Sequence, residues 1–105
     1  MITLDERRHA RIETNLPVAV RFVDGRRIRW ATNLGGGGLR LRRGIEDVMA
    51  GDEVELSFRL PDGTGHIDCN AEVVYDADGF VGLRFTYLSA PQREALLRCI
   101  GHDVG

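Results

Sequence analysis

Glu53-Val54-Glu55-Leu56-Ser57-Phe58-Arg59-Leu60 decides the fold reading. Val54, Leu56, Phe58 and Leu60 alternate without a break with Glu53, Glu55, Ser57 and Arg59. A strict period of two is the mark of a strand with one face buried and the other in water. Pro61-Asp62-Gly63 then turns the chain, since proline presets one turn position and glycine accepts a positive φ at another. The same alternation returns on both sides of this stretch.

Downstream, Ile67, Cys69, Ala71, Val73 and Tyr75 read as the inner face of a strand, Asp78-Gly79 as a tight turn, and Val81, Leu83, Phe85 and Tyr87 as the next inner face. Upstream, Leu16, Val18, Val20 and Phe22 share a face, Asp24-Gly25 turns the chain, and Ile28 and Trp30 point inward with Arg27 and Arg29 opposite. Leu39 and Leu41 are read as inward, with Arg40 and Arg42 outward and pairing with Glu53 or Glu55 of a neighbouring strand. Residues 44–51 connect, with one helical turn at 45–50. Ser89-Ala90-Pro91-Gln92 is a capping-box pattern ahead of Leu96, Leu97 and Ile100 at helical spacing, and Gly101 ends that helix. The expectation is an all-β (mainly β) domain, a six-stranded antiparallel barrel or sandwich with a C-terminal α-helix; closure into a barrel removes exposed edges. Its parts are a basic N-terminal arm at 1–15 without β alternation, strands over 16–88 and a helix over 89–102.

With 105 residues, one domain is expected, burying roughly two thirds of the unfolded surface. No apolar run is long enough to cross a bilayer, and the first residues lack the basic and apolar regions of a secretory leader. Cys69 and Cys99 make neither a disulfide framework nor a metal motif, so a cytoplasmic setting is expected. His9, His66 and His102 are scattered, and no Ser or Cys stands in a nucleophile setting, so no enzyme and no metal are expected.

Net charge is −2 but uneven: residues 1–43 carry ten Arg and four acids, residues 44–105 four Arg and twelve acids. Every basic residue is Arg, whose planar fork stacks on bases and binds phosphate in two-point fashion. The imbalance points to a local anion site. A coat for RNA or single-stranded DNA is disfavoured by the pI of about 5.9, the acidic second half and the inward phase read for Trp30. Between the second and third strands lies Asn33-Leu34-Gly35-Gly36-Gly37-Gly38. Four glycines in a row cost ordering entropy, so folding alone does not ask for them; bare backbone lets a ligand or another chain come close.

Arg7-Arg8-His9-Ala10-Arg11 before the first strand, followed by Asn33-Leu34-Gly35-Gly36-Gly37-Gly38 after the second, resembles the PilZ family pattern Arg-x-x-x-Arg then Asp/Asn-x-Ser-x-x-Gly. The likeness continues through Gly37-Gly38-Leu39-Arg40-Leu41, Gly82-Leu83-Arg84-Phe85 and Leu88-Ser89-Ala90-Pro91. The resemblance implies a six-stranded barrel with a closing helix and a bacterial receptor for the second messenger cyclic di-GMP, with no other cofactor. It implies that Arg7, Arg8 and Arg11 stack on guanines and fork onto guanine edges or phosphates, that Asn33 bonds a guanine edge, and that the backbone of Gly35, Gly37 and Gly38 offers N–H groups in a nest-like concavity. Tyr75 stands where related sequences often carry Trp, as a supporting contact or as an aromatic closing the core. Without an output domain of its own, such a protein acts as an adaptor, monomer or weak dimer, on an effector protein through ligand-dependent ordering of its arm. Gly35 departs from the pattern, replacing Ser. The second expectation is therefore a PilZ-like interaction module whose nucleotide binding is weak or lost.

Overall fold

The alternation at Val54–Leu60 is realised as a barrel stave. A computed structural model describes residues 11–23, 25–44 and 48–104. Six strands, β1 (Arg11–Phe22), β2 (Gly25–Gly35), β3 (Gly38–Arg42), β4 (Glu53–Arg59), β5 (His66–Ala77) and β6 (Phe80–Tyr87), precede one helix, α1 (Ala90–Val104). All neighbours are antiparallel, and the sheet closes in the order β1-β2-β3-β6-β5-β4. The first three strands thus form one contiguous arc of the wall and the last three the other. The arcs join at two seams, β3 against β6 and β4 against β1.

Closure follows from the patterning. Val18, Val20, Leu34, Leu39, Leu56, Phe58, Ile67, Ala71 and Val73 all point to the axis and are at most 2% exposed. Removing such apolar faces from water supplies the main driving force, about 25 cal/mol per Å². The β5–β6 turn follows local chemistry: Asp78 and Gly79 both take positive φ, 56° and 81°, which Asp tolerates and Gly prefers. In α1, Leu96, Cys99 and Ile100 are buried, whereas Leu97 is 50% exposed. The Gln92 amide N–H donates to Ser89 Oγ at 3.4 Å, so Ser89 caps the helix as the pattern predicts. The Gln92 side chain bridges two partners: its Nε2 donates to Ser89 Oγ at 3.0 Å, and its Oε1 accepts the Asp68 N–H at 2.6 Å, which ties the helix to β5.

Gly101 does not end the helix, which runs on to Val104; four further expectations are corrected. First, β1 starts at Arg11, not at residue 16: Ile12 packs against the core, and a register shift between Glu13 and Leu16 bends the strand, which hides its alternation in a polar sequence. Second, Ile28 and Trp30 face outward, 56% and 44% exposed. The inward phase of β2 is set by Ala31 and, past a shift between Ala31 and Asn33, by Leu34. Third, a shift between Val73 and Tyr75 takes Tyr75 off the inner face, and Tyr87 likewise stands 67% exposed. Fourth, Arg40 and Arg42 do not meet β4, because β3 lies between β2 and β6; Glu55 pairs instead with Arg21, at 3.3 Å. The arm up to residue 10, Asp24 of the first turn and part of the turn at 45–50 lie outside the described residues.

Candidate functional site

Strand register brings distant residues into one row. Leu34, Leu39, Leu83 and Val73 are successive partners across β2, β3, β6 and β5, and all are buried on the inner face. The next row, on the outer face, is Asn33, Arg40, Gly82 and Tyr75. Four strands thus present an amide, a guanidinium, a gap and a phenol side by side.

The gap is required. A Cβ on Gly82 would stand 2.1 Å from Cε2 of Tyr75, so the ring lies across the bare backbone of β6. Gly38 has a different reason: a Cβ there would meet the Leu83 carbonyl oxygen at 2.0 Å, so only glycine lets β3 approach β6 this closely. Gly36 faces the helix, its would-be Cβ 3.1 Å from Leu97 Cδ2. None of the four glycines at 35–38 has positive φ. The run therefore forms no left-handed nest of the kind read from the sequence, and at Gly36 and Gly38 the missing side chain serves close approach by neighbours.

Arg11 enters from the start of β1, where it is opposite Gly35. Its Nε and Nη2 donate to Asn33 Oδ1 at 3.0 and 2.6 Å. Because a guanidinium only donates, the Asn33 carbonyl must face it, which leaves the amide NH₂ for another acceptor. Burial pushes the Arg11 pKa below its ordinary value; negative charge on Tyr75 would oppose this, and the nearby Arg40 charge adds to it. Arg40 is held by Nε–H donation to Thr32 Oγ1 at 3.0 Å, and its Cζ lies 4.4 Å above the Phe80 ring centroid. Arg84 at the rim pairs with Glu72.

These groups line an open cleft of about 490 Å³, formed by Arg11, Asn33, Gly37, Gly38, Leu39, Arg40, Val74, Tyr75, Gly82, Leu83 and Arg84. That is within the range of small-molecule sites, roughly 300–1,000 Å³. Three guanidiniums, a donor amide and an exposed ring suit a planar, hydrogen-bonding anion. Of the residues expected from sequence, Arg11, Asn33, Gly37, Gly38 and Tyr75 come together here. Gly35 is buried beside the cleft, and Arg7 and Arg8 lie outside the described residues. The sequence reading missed Arg40, Arg84, Gly82 and Val74. Alternation placed Arg40 outside correctly, but which strand would stand beside it was not readable.

On the opposite wall, Ser57 Oγ lies 2.8 Å and Asp68 Oδ1 3.5 Å from the same His66 nitrogen, Nε2. A proton relay needs the two ring nitrogens to face different partners, so this trio is no hydrolase triad. Among the described residues no cluster of His, Cys, Asp or Glu is placed to hold a metal, and no helix is long and apolar enough to cross a membrane.

The fold has close counterparts. The inhibitor of motility from Bacillus subtilis (MotI/DgrA) superposes with a TM-score of 0.81 at 21% identity over 93% of this chain and 51% of that one. This chain therefore spans about half the length of that protein. The PilZ domain of CeSA from a cellulose-synthesizing bacterium gives 0.67 at 17% identity, covering 90% of this chain and 98% of that one. An uncharacterised Legionella protein gives 0.58 at 12% identity, covering 90% and 92%. No curated protein matches at the level of sequence. The family model for the PilZ domain matches residues 5–102. Barrel, closing helix and sequence match agree, and the chain belongs to the PilZ domain family.

Proposed function

We propose that this protein is a receptor for cyclic di-GMP that acts on a partner protein. The observation carrying this reading is the Arg11–Asn33 pair, set in a cleft with Arg40 and Tyr75 by a fold whose family comprises receptors for that messenger. The residues fit the ligand's chemistry. Arg11, Arg40 and Arg84 match two phosphates and two guanine acceptor edges. Tyr75 and the guanidinium planes offer faces for stacking. The Asn33 NH₂ suits a guanine oxygen or ring nitrogen. Arg7 and Arg8, four and three residues ahead of Arg11, would add two further forks.

In this reading the ligand draws residues 5–11 against the cleft, and the altered surface is what the partner recognises. The protein works in the bacterial cytoplasm as a monomer or weak dimer, without catalysis or a further cofactor. MotI/DgrA is an inhibitor of motility; control of another machine by a small ligand-bound adaptor is the corresponding role here. Calorimetry with cyclic di-GMP tests the site. Arg7→Ala and Arg11→Ala should each weaken binding, and unchanged affinity in both would remove the assignment.

One observation favours a second reading. Gly35 stands where the family pattern has Ser, so a hydroxyl at the cleft edge is missing. A hydrogen bond to a charged group is worth roughly 1.5–3 kcal/mol, or about ten- to a hundred-fold in affinity. On that reading the chain is an interaction module with weak or no nucleotide binding. Wild-type protein showing no heat and no NMR shifts with cyclic di-GMP would select it.

A further inference from the structure

β2 is eleven residues long, but β3 accompanies only part of it. The pairs with β3 run from Ala31 to Leu34, and β3 ends at Arg42. Along 25–30, β2 has β1 on one side and no strand on the other among the described residues. Backbone polarity shows which residues face that open side. Pro17, opposite Trp30, has no N–H to give to β2. The carbonyls of Ile28 and Arg26 accept from the neighbouring side chains, Arg29 Nη1 at 2.8 Å and Arg27 Nη1 at 3.4 Å. Since hydrogen-bonded and non-bonded pairs alternate in an antiparallel ladder, Arg26, Ile28 and Trp30 aim their backbone groups away from β1, into a slot that no strand fills among the described residues.

The same three residues carry the exposed side chains. Ile28 and Trp30 are 56% and 44% exposed, and Arg26 is exposed beside them. Arg42, exposed at the end of β3, borders the slot. Among the described residues neither Arg26 nor Arg42 has an acidic partner. A second copy pairing here would bring Arg26 and Arg42 together with their own counterparts, which opposes self-association. The charge selects an acidic occupant.

We propose that this slot takes an extended acidic segment of a partner protein as an added strand, antiparallel to β2 and continuing the line of β3. Its backbone bonds to Arg26, Ile28 and Trp30. Its apolar residues pack on Ile28 and Trp30, and its carboxylates pair with Arg26 and Arg42. No residue of the slot lines the Arg11–Asn33 cleft, so the proposal stands apart from the ligand reading.

The probe is a blocked peptide alternating Glu and Val around one central Tyr, compared with its Lys-for-Glu counterpart. The acidic peptide should shift the amide signals of residues 26–30 and the Trp30 indole, and slow hydrogen exchange at Ile28 and Trp30. The Lys peptide should do neither. The double variant Arg26→Glu, Arg42→Glu changes only exposed side chains and should weaken binding by about tenfold or more. Equal binding of both peptides, shifts confined to the cleft, or binding that survives the double variant would overturn the proposal. So would binding without exchange protection, no binding at millimolar peptide, or self-association of the free protein through this edge.

Discussion

Arg11 donates both Nε–H and Nη2–H to the single oxygen Oδ1 of Asn33, twenty-two residues away in the chain. The two side chains of the family pattern therefore hold one another in place, and neither acts alone. Arg11→Ala and Asn33→Ala are each expected to weaken cyclic di-GMP binding by roughly ten- to a hundred-fold. The double variant should lose less than the two losses added, because each single change already frees the other residue. Calorimetry on the four proteins measures the coupling. Unfolding free energies from urea denaturation should change by less than about 1 kcal/mol, as Arg11 is at the surface.

Gly82 and Gly38 should respond to alanine in opposite ways. At Gly82 the new methyl collides with an exposed ring that has room to swing away. Stability should change by about 1 kcal/mol or less, while the displaced Tyr75 lowers ligand affinity. At Gly38 the methyl collides with the Leu83 backbone carbonyl, which the β3–β6 seam holds fixed. That variant should lose about 3 kcal/mol or more, or fail to fold. Denaturation and titration of both variants check the contrast.

Gly35→Ser restores the missing hydroxyl at the end of β2. Affinity for cyclic di-GMP should rise by about ten- to a hundred-fold. A titration showing no gain would mean that Gly35 does not limit binding.

Cys69 supplies a pH signature. Burial, and secondarily the Asp68 charge, push its thiol from 9.0 to about 11. The unfolded chain then releases this proton first as pH rises. The stabilising contribution is complete below the unfolded value and is lost as pH climbs through the folded one, with a slope of at most about 1.4 kcal/mol per pH unit. Urea melts from pH 8 upward should show wild type falling more steeply than Cys69→Ala. Parallel curves would contradict it.

How much of this was legible depended on whether a signal was local. Val54 to Leu60, the Asp78-Gly79 turn and the Ser89 cap are each fixed by neighbouring residues, and each reads directly. Trp30 and Tyr75 were misplaced for one shared reason. Each lies next to a register shift, which reverses the phase of alternation without leaving a mark in composition. Arg11 and Asn33 were found by their resemblance to a known pattern. Arg40 joins them only because β3 inserts between β2 and β6, a topological fact that no window around residue 40 contains.

The strand order β1-β2-β3-β6-β5-β4 has an electrical consequence. The chain's basic residues fall mainly in the first forty-three positions and its acids mainly in the rest. Because the first three strands form one arc and the last three the other, this bias along the sequence becomes a dipole across the barrel. The Arg21–Glu55 and Arg43–Asp76 pairs bridge its two halves. A dianion approaching from solution is turned toward the β1–β3 side before it touches the protein. Capture should therefore be fast at low ionic strength and slow steeply with added salt, while the release rate, set by contacts inside the cleft, changes much less.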